Sequence, residues 1–295
     1  MIDLTVHPQQ LEHAVQRARE NRIVIPTFAE MRDPSKIPAV IKNKLKDVGL
    51  WDVNPLNLFR ITWRNEPTMQ GGGFGNVNFI ELPSALTGVK ARIIVLCGKW
   101  FPTGCHKVGA SFGCLAPRLV TGQFDPTFHK AVWPSTGNYC RGGAYNSKLL
   151  GCESIAILPA EMSKERFDWL SKIAGEVIAT PGCESNVKEI FDKTWELRRT
   201  RKDVVIFNQF EEMGNVLWHY QVTGKAIADA YESIKTEKTR FAGACFTSGS
   251  AGTMSAGDYL KEQYPHAKLA VGEALQCPTL LENGFGGHRI EGISA

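Results

Sequence analysis

FAGACFTSGSAGTMSAGDYLKE, residues 241–262, is an apolar run that ends in a turn of small residues, and the turn opens a helical stretch. Strand, turn and helix in that order are the repeating unit of an open α/β sheet, and the unit recurs along the chain. Strands are expected at 92–97, 154–158, 176–180, 203–208, 241–246 and 268–271, with helices at 109–120, 139–150, 164–174, 186–199, 216–232 and 253–262. The alternation predicts a doubly wound α/β architecture of mostly parallel twisted sheets with helices on both faces. In such sheets ligands settle at the carboxyl ends of the strands, on the turns into helices.

With 295 residues and 43% hydrophobic content, the chain can bury one large core or two smaller ones. Its formal charge of +4 comes from 34 basic and 30 acidic residues spread along the length. No concentrated basic face results, so nucleic acid is not an expected partner. The opening MIDLTVHPQQLEHAVQRARE has no apolar signal core, and no later run approaches a membrane span. Neither export nor a membrane is expected, and the chain reads as cytoplasmic. Eight cysteines without a C-x-x-C pair read as reduced small hydrophobes, and no metal site is expected.

Residues 1–77 fit the alternation poorly. A helix-like start at 9–20, a mixed-charge stretch at 36–48 and a glycine run at 71–73 suggest an extension packed on the core or on a partner subunit. Two nucleotide-loop patterns fail on inspection. In the first, Asn76 stands where G-x-G-x-x-G needs its last glycine; in the second, His219 replaces the first glycine of a Walker loop around Thr223-Gly224-Lys225.

Three turns remain, and they make a coherent site. Phe101-Pro102-Thr103-Gly104-Cys105-His106-Lys107 delivers a lysine to a helix entry. A partly desolvated lysine there has its ammonium form disfavoured and condenses with an aldehyde. Pro134-Ser135-Thr136-Gly137-Asn138 follows the short run 131–133 and opens the next helix, where hydroxyls and backbone N–H groups suit a substrate carboxylate. Thr247-Ser248-Gly249-Ser250-Ala251-Gly252-Thr253 lets the backbone wrap closely round a phosphate.

Taken together with three further stretches, these motifs resemble the fold-type II pyridoxal-5′-phosphate (PLP) family, closest to its cysteine synthase and cystathionine β-synthase branch. Asn78-Phe79-Ile80-Glu81-Leu82-Pro83 is similar to that branch's opening strand. Asn208-Gln209-Phe210-Glu211, with His219 and Thr223-Gly224 after it, is similar to its Gln-Phe-Glu-Asn…His…Thr-Gly segment, and Gly287-His288-Arg289-Ile290-Glu291-Gly292-Ile293 to its His-Lys-Ile-Gln-Gly-Ile stretch.

The resemblance implies that Lys107 carries PLP as a Schiff base and moves the Cα proton, and that Asn138 bonds the phenolic oxygen. Ser135, Thr136, Gly137 and Gln209 would hold the amino acid's carboxylate, and Gly249, Ser250, Ala251, Gly252 and Thr253 the phosphate. It implies a homodimer built from a larger cofactor domain, 78–99 with 212–295, and a smaller mobile substrate domain, 100–211. A further segment would complete the larger domain and supply the Ser or Thr that faces the pyridine nitrogen, since no residue of the 295 is a candidate for that role.

The expected reaction is β-replacement on an O-activated serine through an aminoacrylate, with a thiol-like nucleophile. The same motifs serve β-elimination, deamination and racemisation, and a non-catalytic scaffold or regulatory subunit is the reading from another class. The His-Lys pair is closer to tryptophan synthase β than to the branch's usual Ser-Val/Phe-Lys-Asp-Arg. However, Ser135-Thr136-Gly137-Asn138 lacks the glutamate of that enzyme's indole-activating loop.

Overall fold

The computed structural model describes residues 3–183, 186–247, 249–250, 252–284, 286–288, 290 and 293. Its helices are α1 (Pro8–Glu20), α2 (Phe28–Arg32), α3 (Ala39–Leu45), α4 (Ser84–Thr87), α5 (Lys107–Thr121), α6 (Asn138–Leu149), α7 (Lys164–Ile173), α8 (Val187–Thr200), α9 (Met213–Trp218), α10 (Gly224–Ile234), α11 (Ser255–Gln263) and α12 (Thr279–Glu282). The strands are β1 (Phe79–Leu82), β2 (Ile93–Leu96), β3 (Lys130–Pro134), β4 (Glu153–Pro159), β5 (Glu176–Thr180), β6 (Val204–Ile206), β7 (Gly243–Thr247) and β8 (Lys268–Gly272).

Strands β3 to β6 form a fully parallel sheet in the order β5-β4-β3-β6. Alternate residues face opposite ways, as strand geometry requires. Ala131 and Trp133 enter the main core, while Val132 joins Ile155, Ile157, Ile190 and Leu197 in a second cluster that includes residues of α8. Chain order runs outward from β3 to β5 and then returns to β6 on the other side of β3. The carboxyl ends of β3 and β6 therefore flank the switch point where an open α/β sheet takes its ligand. Lys130 pairs with Val204 and Val132 with Ile206. Trp133 stacks on Phe207 at 4.5 Å just beyond this paired stretch.

Among the described residues, the larger unit expected from 78–99 and 212–295 has no continuous ladder. Antiparallel β1–β2 and parallel β7–β8 are separate two-stranded sheets. A cleft of about 1100 Å³ lies between them, lined by Ile93, Leu96, Ile227 and Phe246 among others. The N-terminal extension packs on the core. The His7 N–H donates to the Thr121 carbonyl, His13 meets Asp125 at 2.8 Å, and Trp63 Nε1 donates to Thr223 Oγ1 at 3.0 Å. Met31, Leu58, Ile61 and Trp63 are members of the main core. Cys97, Cys105, Cys114, Cys152, Cys245 and Cys277 are free thiols. Among the described residues no helix is long and apolar enough to cross a membrane.

Helix α5 carries Gly109 and Gly113 one turn apart because α9 crosses it at backbone distance. A Cβ on Gly109 would sit 2.1 Å from the Trp218 ring, and one on Gly113 would sit 2.3 Å from the Gly214 carbonyl oxygen. Gly113→Ala sets two effects against each other. Alanine gains roughly 0.5–1 kcal/mol of helix preference over glycine, but an added methyl against rigid backbone costs about 1–3 kcal/mol. Overpacking wins, so the variant is expected to be less stable by roughly 1–2 kcal/mol in urea unfolding. A midpoint equal to or above the wild type would show that the two helices are free to part.

Candidate active site

The loop that delivers Lys107 is bent by two successive residues with positive φ, Thr103 at 68° and Gly104 at 70°. For a β-branched residue such as Thr103 that conformation is strained, at a cost of about 1–3 kcal/mol. Strain of this size persists where the surroundings over-determine it, and Thr103 is 2% exposed. Beyond the bend, Lys107 begins α5 with its side chain half-buried.

Lys107 Nζ donates to Ser250 Oγ at 2.9 Å and to Gln209 Oε1 at 3.2 Å. Asn215 Nδ2 donates to the same Ser250 Oγ and to the Gln209 carbonyl, each at 3.1 Å. Three of the expected residues and one unexpected one thus close a ring of hydrogen bonds over the ends of β6 and β7. Burial lowers the Lys107 pKa from lysine's ordinary 10.5, because the charged form loses its water there. That shift favours the neutral, nucleophilic amine.

His106 faces away from this ring. It stacks on Trp63 at 5.8 Å and meets the fully buried His219 edge-on at 5.2 Å. Burial, with Lys107 nearby, takes the His106 pKa down to about 3, and burial likewise holds His219 well below the usual histidine range. Both imidazoles are neutral packing groups near pH 7. His219 opens a π-helical turn, His219–Thr223, and bonds Thr223 Oγ1 through Nδ1 at 2.9 Å. The helix expected at 216–232 runs on through this turn, with right-handed helical backbone at Trp218, Thr223 and Gly224.

The second turn lies at the end of β3. Ser135 is 5% exposed, its N–H donates to the Ile157 carbonyl, and its hydroxyl accepts from the Gly137 N–H at 3.3 Å. Asn138 is the first residue of α6 and shares a face with Gly142 and Asn146 at four-residue spacing. That face lies on the entry to α5. A Cβ on Gly142 would sit 2.8 Å from Val108 Cα, and Asn146 Nδ2 donates to the Val108 carbonyl at 2.7 Å. No hydrogen bond joins Ser135 or Asn138 to Lys107, Gln209 or Ser250 among the described residues. Helix packing alone sets the two groups side by side.

In the third turn, Gly249 has φ 148°, and Gly252 leaves no room for a side chain, since a Cβ there would lie 2.1 Å from Asn215 Oδ1. Thr253 sits in the following single turn, Gly252–Met254. Ser248 and Ala251 lie outside the described residues, as do Arg289, Glu291 and Gly292 of the terminal motif. The donor set fits PLP on these observations: a half-buried lysine for the aldehyde, and a glycine-lined turn for the phosphate whose Ser250 hydroxyl, held as acceptor by Lys107 and Asn215, keeps its proton to donate. Asn215 was missed because nothing in Met213-Gly214-Asn215-Val216 marks a buried amide as part of a site. Its only signal is its place a few residues after Gln209.

No family model matches the chain. A probable cysteine synthase of Bacillus subtilis is 30% identical over 194 residues, 65% of this chain and 61% of that protein, so the chain spans about three-fifths of that relative's length. A cysteine synthase of Staphylococcus aureus is 30% identical over 222 residues, 75% of this chain and 69% of the relative. Among solved structures, a hydrogen sulfide-producing enzyme of Fusobacterium nucleatum, seen with an α-aminoacrylate intermediate, superposes with TM-score 0.63 at 26% identity. That match covers 69% of this chain and 60% of the other. With a lysine turn, a Ser-Thr-Gly-Asn helix entry and a Gly/Ser turn all at the carboxyl ends of strands, and with these relatives, the chain belongs to the cysteine synthase family, in the fold-type II group of PLP enzymes.

Proposed function

We propose that the chain carries the catalytic site of a PLP-dependent β-replacement enzyme, which exchanges the β-oxygen substituent of an O-activated serine for a thiol-like nucleophile. The observation that carries the reading is the hydrogen-bonded ring of Lys107, Ser250, Asn215 and Gln209 beside the α6 N-terminus. When bound, PLP supplies an aldehyde for the lysine and a ring that withdraws electrons from the amino acid's Cα.

The chain's own residues do the rest. Ser250, Gly249, Gly252 and Thr253, with Ala251, hold the phosphate. Ser135, Thr136 and Gly137 offer N–H and hydroxyl donors to the carboxylate at the positive end of α6. Gln209 would close the carboxylate's other side, and Asn138 would bond the cofactor's phenolic oxygen. Lys107, its ammonium form disfavoured by burial, would be the base that takes the Cα proton. We assign 100–211 to the substrate side and 78–99 with 212–295 to the cofactor side of a homodimeric, cytoplasmic enzyme.

A second reading is β-elimination, in which the β-substituent leaves without replacement and the rest of the amino acid is hydrolysed to a keto acid and ammonia; the sulfide-producing neighbour is consistent with loss of a sulfur substituent from Cβ. Product analysis separates the two: β-replacement incorporates an added thiol into the amino acid, whereas elimination releases a keto acid and ammonia whether or not the thiol is present.

The reading is tested at the lysine. Borohydride reduction after incubation with PLP is expected to label Lys107, and the labelling rate is expected to rise with pH to a midpoint below the ordinary lysine value of 10.5. Label spread over surface lysines with a midpoint near 10.5 would remove Lys107 from the mechanism.

A further inference from the structure

We infer that Asn215 is a positioning residue for the cofactor's phosphate: it orients the Ser250 hydroxyl and ties the phosphate turn to the substrate-side segment at Gln209. The inference rests on the PLP reading above. Asn215 is fully buried, and its amide nitrogen spends both hydrogens, one on Ser250 Oγ and one on the Gln209 carbonyl.

A hydroxyl has two acceptor positions and one proton. Lys107 and Asn215 occupy both acceptor positions of Ser250 at 2.9 and 3.1 Å, so its proton is left to be donated outward, as an anionic phosphate oxygen requires. With Lys107 committed to the cofactor's aldehyde, its nitrogen would no longer be free to donate to Ser250. Asn215 is then the donor that keeps the hydroxyl aimed.

The other end of the amide supports the same role. Asn215 Oδ1 has no hydrogen-bond partner among the described residues, and it lies against the backbone of the turn at Gly252. One buried side chain therefore touches the phosphate turn twice, through Ser250 and Gly252, and the substrate segment once, through the main chain of Gln209. Residues with these contacts link cofactor retention to amino-acid capture.

The test compares equilibrium binding of PLP with that of pyridoxal, the same aldehyde without a phosphate, to the full chain and its variants. Asn215→Ala is expected to weaken PLP about tenfold, the scale of one hydrogen bond to a charged group, and to leave pyridoxal within about twofold. Ser250→Ala should do the same, and the Asn215→Ala/Ser250→Ala double variant should lose no more than either alone. Asn215→Asp keeps the shape but offers an acceptor where a donor is needed, so it should exceed the alanine in its loss of PLP. It also keeps the test open if the alanine variant fails to fold.

Equal losses for both aldehydes, or additive losses in the double variant, would overturn the inference and leave Asn215 a packing residue. A wild-type chain that binds neither aldehyde at Lys107 would instead overturn the PLP reading beneath it.

Discussion

Lys107→Ala is expected to lower turnover of an O-activated serine by at least about a thousandfold, the range lost with a group that both moves a proton and carries the cofactor. The fold should survive. The side chain is half-buried, and its pKa is lowered because the site disfavours the ammonium. The sign follows from linkage. With the folded-state pKa depressed below 10.5, the protonated lysine costs stability at pH values below its folded pKa, and that cost fades as pH rises towards 10.5. Removing the lysine should therefore leave neutral-pH stability equal or slightly higher. Any advantage of the variant should shrink in alkaline buffer. Ser250 keeps Asn215 as a donor in the variant, so the turn is not left unsatisfied. The checks are turnover, borohydride labelling and thermal unfolding across pH. Turnover within tenfold of wild type, in a variant that no longer takes label, would break the assignment.

The site's first three turns were legible because each is punctuated chemically: a lysine after Thr-Gly, a Ser-x-Gly-Asn, and a run of Gly, Ser and Ala. The apolar runs of β4, β5 and β8 were found to within a residue or two for the same local reason. What escaped depends on distant partners. Strand β3 holds the centre of the parallel sheet, yet Lys130 and Pro134 bracket only three core residues, so by periodicity it reads as a fragment. The π-helical turn at His219–Thr223 brings His219 and Trp63, which lies in the N-terminal extension, to one atom, Thr223 Oγ1, a meeting of segments far apart in the chain. The separation of β1–β2 from β7–β8 is a matter of sheet pairing, which apolar runs alone do not specify. Asn215 acquires its meaning only when β6 and β7 end side by side.

Gly252→Asp is the second large effect expected, and it differs in kind from the loss of Lys107. At position 252 a Cβ would sit 2.1 Å from Asn215 Oδ1 and 2.6 Å from its Cγ, so even alanine must push the amide aside. Aspartate adds a negative charge in the turn assigned to the phosphate. Like charges brought together at a desolvated contact cost several kcal/mol, and each 1.4 kcal/mol is a factor of ten. PLP affinity is therefore expected to fall by roughly a hundredfold to a thousandfold. The loss should have two parts that Gly252→Ala separates. Alanine carries only the steric part, which displaces Asn215 and with it Ser250, so it should weaken PLP by about tenfold and lose its phosphate preference. Aspartate carries the steric part and the charge, and its extra deficit should shrink when salt is raised, because screening acts on charge and not on packing. Titration of PLP and pyridoxal into both variants at low and high ionic strength reads these parts directly. If Gly252→Asp bound PLP as tightly as wild type, the phosphate would have to sit elsewhere, and the turn at 249–253 would have no role beyond joining β7 to α11.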